Sequence, residues 1–262
     1  MKRKDFIKTA AFGGLAINLL SGKCAENEKS NSVSTPCTET PEETAGPFPT
    51  HEPAKFVSKN IVADRVGTQL TIQVMLFNIN DGCKPLKDAI VDIWHCDHKG
   101  EYSEYGGPGG FGPPGGQKMP PPPPRRGSEK NDRPPIPQGG GGSMQPADHT
   151  QEHFLRGRQF TDKDGIASFT SIYPGWYRGR APHIHAQIHT ASEKSLLITQ
   201  IAFPENINTE VYAQGVYAER GTADTTNMDD NIFGDGIANE LAVIKGNVKD
   251  GFVLTHSIYI KA

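Results

Sequence analysis

Leu70-Thr71-Ile72-Gln73-Val74-Met75-Leu76 carries an apolar side chain at every even position and mostly polar partners between them. Successive side chains of an extended chain point to opposite faces, so this stretch reads as a half-buried β-strand. Asn80-Asp81-Gly82 follows as a turn signal, and the spacing predicts a hairpin returning through Ala89, Val91 and Ile93. Working outward, Ala167–Phe169, Ile184–Ile188, Leu196–Phe203 and Phe252–Ile260 are further short strand candidates divided by Gly, Pro, Asn and Asp. No long stretch keeps a helical period. Many short strands with turn punctuation predict an all-β fold, an antiparallel β-sandwich with long irregular loops.

The chain has 262 residues, enough to bury a sizeable core. Its 27 basic and 30 acidic residues leave a net charge of -3, so no general positive field exists to hold a phosphate backbone, and nucleic acid is excluded as the expected partner. Four cysteines are too few for a disulfide scaffold of this size, and no CxxC pair suggests zinc or dithiol chemistry.

The ends of the chain differ from its middle. Basic residues crowd Met1 to Lys8, an apolar run spans Ala10 to Leu20, and Ser21 and Gly22 precede Cys24, the layout of an export signal over residues 1–24. Arg3-Lys4-Asp5-Phe6-Ile7-Lys8 resembles a twin-arginine signal with lysine at its second position. Leu20-Ser21-Gly22-Lys23-Cys24 is similar to a lipoprotein signal except at Lys23, where a small residue is the rule; a membrane tether requires that Cys24 be lipidated. The expected location is the periplasm or cell surface. Residues 25–43 are polar and rich in Ser, Thr, Glu and Pro, as expected of a flexible tether, which puts the start of the folded domain near Thr44 and its end at 262. Gly and Pro supply more than half of residues 106–143, which predicts an irregular loop rather than a packed element. In an oxidising compartment Cys37, Cys83 and Cys96 supply one disulfide, with the pairing left open.

The chemistry sits on both sides of that Gly/Pro segment. Before it, the strand Val91-Asp92-Ile93-Trp94 runs through His95-Cys96-Asp97-His98-Lys99-Gly100-Glu101 to Tyr102, read as an exposed tyrosine at the end of a turn. After it comes Tyr173-Pro174-Gly175-Trp176-Tyr177-Arg178-Gly179-Arg180-Ala181-Pro182-His183-Ile184-His185. In a strand His183 and His185 point the same way and can offer two imidazoles to one metal. By itself that pair is more often a surface or hydrogen-bonded couple. Tyr177 six residues before it and Arg180 three residues before it strengthen the metal reading.

These segments resemble the intradiol ring-cleavage dioxygenases, the family of protocatechuate 3,4-dioxygenase and catechol 1,2-dioxygenase, in its exported single-domain branch. The resemblance runs from about Thr44 to the C-terminus. It implies a non-haem Fe(III) held by Tyr102, Tyr177, His183 and His185, with Tyr105 as a fallback for Tyr102 because the Gly/Pro loop lengthens the interval between the tyrosines. It further implies Arg180 over the substrate, Gln200 closing the pocket, Tyr177 taking a substrate proton, and Gly46, Pro47 and Phe48 lining the mouth. The implied reaction inserts both atoms of O2 into catechol or a substituted catechol and opens the ring between the hydroxyls to a cis,cis-muconate.

The chemistry of the ion suits that ligand set, since two phenolates offset the charge of a hard trivalent ion where imidazoles alone would favour the ferrous state. Two other readings compete: a catalytically silent exported sandwich that binds aromatic compounds or carbohydrate, and a copper or zinc enzyme built on His183 and His185. Of the remaining residues, Trp94 is expected in the core, His95 and His98 in hydrogen bonding or solvent contact, and Asp162–Gly165 in a tight turn rather than a calcium loop. His149, His153, His189 and His256 have no partner at a telling spacing.

Overall fold

The computed structural model describes residues 37–106 and 147–262. The export signal, most of the tether and nearly all of the Gly/Pro segment lie outside the described residues. Among the described residues nine strands and one α-helix follow in order: β1 (Gln69–Asn78), β2 (Lys84–Pro85), β3 (Ile90–Trp94), β4 (Arg156–Phe160), β5 (Ile166–Ile172), β6 (His183–His189), β7 (Ser195–Ala202), α1 (Glu205–Tyr212), β8 (Val243–Asn247) and β9 (Gly251–Ile260). They form two packed sheets. One has the order β2-β1-β9-β8, with β5 also paired to β1; the other has the order β4-β3-β6-β7. This is the expected β-sandwich, with one departure from antiparallel order. Strands β1 and β9 run parallel, from Leu70 opposite Phe252 to Asn78 opposite Ile260.

The alternation in β1 does what its pattern predicts: Leu70, Ile72, Val74 and Leu76 are fully buried, while Thr71, Gln73 and Met75 are half-buried on the other face. Phe252, Leu254 and Ile258 of β9 and Ala167 and Phe169 of β5 join them against Val91, Ile93, Ile184, Ala186, Ile188 and Ile201 of the second sheet. Each such Val, Leu, Ile or Phe side chain contributes roughly 1.5–3 kcal/mol through burial.

The predicted hairpin is corrected. The turn at Asn80-Asp81-Gly82 returns only through Lys84–Pro85, which pair with Asn78 and Phe77. The chain then crosses to the other sheet, where Val91 and Ile93 face the core from the opposite side. The edge of β1 they were expected to occupy belongs to β5, in register from Gln69 opposite Ile172 to Met75 opposite Ile166. The tether boundary also moves. Cys37 is bonded to Cys83, the Thr40 N–H donates to the Tyr259 carbonyl at 3.0 Å, and the Glu43 N–H donates to the Ile198 carbonyl at 2.7 Å. Residues 37–43 are therefore pinned to both sheets. Among the described residues Cys96 is a free, buried cysteine. Asp162–Gly165 is the expected tight turn, with the Gly165 N–H on the Asp162 carbonyl at 3.0 Å, and it joins β4 to β5.

The four-stranded sheet is unusual in being buried on both faces. Every residue of β3 and nearly every residue of β6 is buried. Its inner face is the apolar core, and its outer face carries polar side chains under the segment 44–56 and the turn that holds Tyr102. That covered polar face is where the candidate functional residues meet.

Candidate active site

Directly opposite residues of antiparallel strands share a face. Arg156 of β4 opposes Trp94 of β3, Trp94 opposes His185 of β6, and His185 opposes Gln200 of β7. This register lays one row across the outer face, with His183 two residues along β6 from His185. Trp94 stacks flat on His185, with centroids 4.9 Å apart and planes at 3°. It is buried as expected, but as the wall behind an imidazole rather than as part of the apolar core.

Tyr102 and Tyr177 reach the row from two loops that cross closely. Gly100 has φ +81° and a side chain there would stand 2.2 Å from the Trp176 carbonyl oxygen; one at Gly175 would stand 2.2 Å from the Asp97 carbonyl oxygen. The Gly175 N–H donates to that Asp97 carbonyl at 3.1 Å. Only glycine permits this crossing at each point. The Tyr173-Pro174 approach is braced by three phenols: the Tyr212 hydroxyl donates to the Pro174 carbonyl at 3.0 Å, Tyr217 to the Tyr173 carbonyl at 2.6 Å, and Tyr173 to Asn208 Oδ1 at 2.7 Å. The result sets the Tyr102 and Tyr177 rings edge to face at 5.8 Å.

Tyr102 is fully buried, not exposed at a turn tip. Phe48 stacks on it at 4.7 Å, because the strap Thr44-Ala45-Gly46-Pro47-Phe48 lies over the site. Gly46, at φ +67°, leaves only enough room for His185: a Cβ there would be 3.0 Å from its Cε1. Tyr105 is turned elsewhere, its hydroxyl donating to the Pro49 carbonyl at 2.6 Å. Tyr102, not Tyr105, therefore joins Tyr177 and the imidazoles.

The polar tips converge. His183 Nε2 lies 3.2 Å from His185 Nε2 and 3.2 Å from the Tyr177 hydroxyl, which also interacts with the Tyr102 hydroxyl. His183 Nδ1 lies 2.6 Å from the Ala181 carbonyl, so Nδ1 carries the proton and Nε2 presents its lone pair to the cluster. Arg180 Nη1 approaches the Tyr177 hydroxyl at 3.3 Å, and Nη2 donates to Gln200 Oε1 at 2.5 Å. Gln200 Nε2 donates to the Thr44 carbonyl at 2.8 Å, which ties the strap to the row.

Burial dominates the electrostatics. It holds the Tyr102 phenol well above its usual range, with the Tyr177 phenol adding to the rise, and pushes Tyr177 up to about 12 against the lowering effect of Arg180. Burial first and Arg180 second hold both His183 and His185 well below the usual imidazole range. In the absence of an ion the four groups are neutral. Two lone-pair-bearing imidazoles and two ionisable phenols aimed at one point fit a cation that replaces the phenol protons, and hard phenolate oxygens suit a hard trivalent one. Among the described residues no three His, Cys, Asp or Glu side chains form a group able to hold a metal ion, so an ion at this point would need the phenols as ligands.

Other histidines have plain partners. His95 is a core residue, Nδ1 on the Cys96 carbonyl at 2.8 Å and Nε2 on Ser171 Oγ at 2.7 Å. His149 lies between Glu152 at 2.7 Å and Glu101 at 3.1 Å, and His153 lies 3.2 Å from Glu104. His189 is 3.1 Å from Asp92. Sequence reasoning missed Arg156, which is buried and donates to Ser103 Oγ, the Ser103 carbonyl, the Phe48 carbonyl and Thr50 Oγ1, binding the strap to the Tyr102 turn. It missed Asp230 as well, whose carboxylate takes the Arg180 Nε–H.

No family model and no curated protein matches the sequence. Solved structures do match. An intradiol ring-cleavage dioxygenase from Tetranychus urticae is 30% identical, with a TM-score of 0.64 over 86% of this chain and 95% of its own. The dioxygenase Tetur07g02040 is 29% identical, with a TM-score of 0.63 over 86% of this chain and 94% of its own. The dioxygenase domain of a dioxygenase carbohydrate-binding protein fusion from Streptomyces sp. SirexAA-E shares the fold at 21% identity and a TM-score of 0.52, over 84% of this chain and 97% of that one.

Proposed function

This chain belongs to the intradiol ring-cleavage dioxygenases, and from that premise we propose that it is a non-haem Fe(III) enzyme that uses O2 to open a catechol between its hydroxyl-bearing carbons, yielding a cis,cis-muconate. Tyr102, Tyr177, His183 and His185 would hold the iron. Bound there, the ion would supply Lewis acidity to a chelating diol and make its ring reactive towards dioxygen. The observation that carries this reading is the meeting of two phenols and two imidazoles beside a guanidinium on a covered sheet face, with His183 Nε2 at 3.2 Å from both Tyr177 and His185.

The chain's own groups then have distinct tasks. Tyr177 Oη, as the phenolate, would take a proton from the diol, and burial, which favours the neutral phenol, would hold the proton there. Arg180 Nη1, already 3.3 Å from that oxygen, offers a fixed cation where negative charge grows on the substrate, an effect that preorganisation strengthens in a dry site. Gln200 keeps Arg180 turned inward through its 2.5 Å hydrogen bond. Gly46, Pro47 and Phe48 line the mouth and, through the stack of Phe48 on Tyr102, keep water from the phenol. The Cys37–Cys83 disulfide supports reading residues 1–24 as an export signal, because such bonds persist in oxidising compartments.

The test is oxygen uptake by iron-loaded protein across a panel of catechols, with ultraviolet spectra of the products. Stoichiometric uptake and a muconate spectrum are expected. Cleavage beside the hydroxyls, or no uptake with any catechol, would contradict the reading.

A further inference from the structure

We propose that Asp230 is the positioning residue that aims Arg180 into the site, an inference that rests on the functional reading of that site. Asp230 stands fifty positions beyond Arg180, in a segment with no recognisable motif. Its side chain is fully buried while that of Arg180 is 14% exposed, and the two form an ion pair at 2.9 Å. Both carboxylate oxygens receive the Arg180 Nε–H, at 3.0 and 2.9 Å. Oδ2 also accepts the Ala181 N–H at 2.7 Å, and Oδ1 accepts the Ile232 N–H at 2.8 Å.

The carboxylate is itself held in place. The Asp230 N–H donates to the Thr226 carbonyl at 3.0 Å, and neighbouring Asn227 donates from Nδ2 to the Phe203 carbonyl at 2.8 Å and from its backbone to Glu205 Oε1 at 2.7 Å. Asp230 is therefore anchored to the junction of β7 and α1, not to the arginine alone.

A planar guanidinium whose Nε–H is fixed has little freedom left. With Nε on Asp230 and Phe233 5.7 Å from the guanidinium carbon, Nη2 falls on Gln200 and Nη1 on the Tyr177 hydroxyl. The carboxylate also balances a cation that would otherwise be buried with no counter-charge, a state proteins avoid. Asn at this position keeps one acceptor but turns the other into an N–H2 facing donors. Arg180 then loses both its charge partner and its aim.

The experiment compares iron-loaded full chain in four forms: wild type, Asp230→Asn, Arg180→Gln and the double variant. Asp230→Asn is expected to lower kcat by about 10–100-fold, the range seen when supporting groups around metal sites are removed, with a much smaller change in KM. In the Arg180→Gln background the same change is expected to lower kcat by less than about threefold, because it has no guanidinium left to aim. Independent losses in the cycle, or an unchanged kcat in Asp230→Asn, would overturn the proposal. If Asp230→Asn alone does not fold, a fall in kcat of more than about threefold between Arg180→Gln and the double variant overturns the proposal, and a smaller one supports it.

A second readout does not use turnover. The ¹⁵N-correlated Nε–H signal of Arg180, assigned by its loss in Arg180→Gln, should exchange slowly in metal-free wild type and quickly in Asp230→Asn. Equal exchange would contradict the positioning role. Wild type that consumes no oxygen would sink the functional reading and leave this exchange comparison to judge Asp230.

Discussion

The two faces of the four-stranded sheet are made by the same strands and differ by one residue of alternation. On the inner face Val91, Ile93, Ile184, Ala186, Ile188 and Ile201 pack against the other sheet as an ordinary core. On the outer face the alternate residues are Arg156, Arg158, Asp92, Trp94, His183, His185 and Gln200, nearly as deeply buried. The inner face gains stability simply by leaving water. The outer face loses hydration, so each polar group there needs a partner: Arg158 takes both oxygens of Asp92 at 2.7 Å, and Arg180 sits between Asp230 and Gln200. A register slip of one residue would exchange the faces, so the core that fixes register also fixes the site.

The largest effect expected from this contrast is a loss of function with little loss of fold. His185→Ala should lower activity at least ~1,000-fold and abolish stoichiometric iron binding, while the metal-free variant melts close to metal-free wild type. Metal analysis and calorimetry check this, and a collapse of the metal-free fold would erase the distinction between the faces. Next, Ile184→Ala, one residue away but on the inner face, should reverse the pattern. It is expected to cost about 2–5 kcal/mol in denaturant unfolding and to leave turnover per folded, iron-loaded molecule nearly unchanged.

A pH series sharpens the same comparison. Burial holds the core imidazoles His95 and His256 down at about 4. Their folded values lie below the unfolded value of about 6.5, so the stability they contribute is complete above about 6.5 and is lost as pH falls towards 4, by on the order of 3 kcal/mol each. His256→Asn should flatten the metal-free stability curve between those limits. The smallest effect belongs to the exposed face of the other sheet: Val253→Thr, at a half-exposed position on β9, should change stability by less than about 0.5 kcal/mol.

The same contrast explains what was legible in the sequence. Strands β1, β6, β7 and β9 were readable because apolar residues alternate or cluster in them. Strand β4 was not, since arginine at alternate positions gives no apolar pattern, and only the fold shows Asp92 and the backbone carbonyls of residues 48 and 103 pairing Arg156 and Arg158 inside. The hairpin was misassigned because Asn80-Asp81-Gly82 specifies a reversal but not which sheet the next long strand joins. Tyr102 was expected at the surface because nothing local reveals the strap that brings Phe48 over it. Cys37 moved the domain boundary because a disulfide partner 46 positions away leaves no local signal. Tyr177, His183, His185, Arg180 and Gln200 were recognisable as a set through short-range spacing and family resemblance, whereas Asp230 reaches the site only through tertiary packing.

The most direct measurement is the visible absorption of metal-free protein as it is titrated with Fe(III), in wild type and in Tyr102→Phe, Tyr177→Phe and the double variant. One tyrosinate-to-iron charge-transfer band saturating at one ion per chain, altered in each single variant and absent in the double, is the predicted result. A colourless wild type, or a band that survives loss of both phenols, would contradict the account.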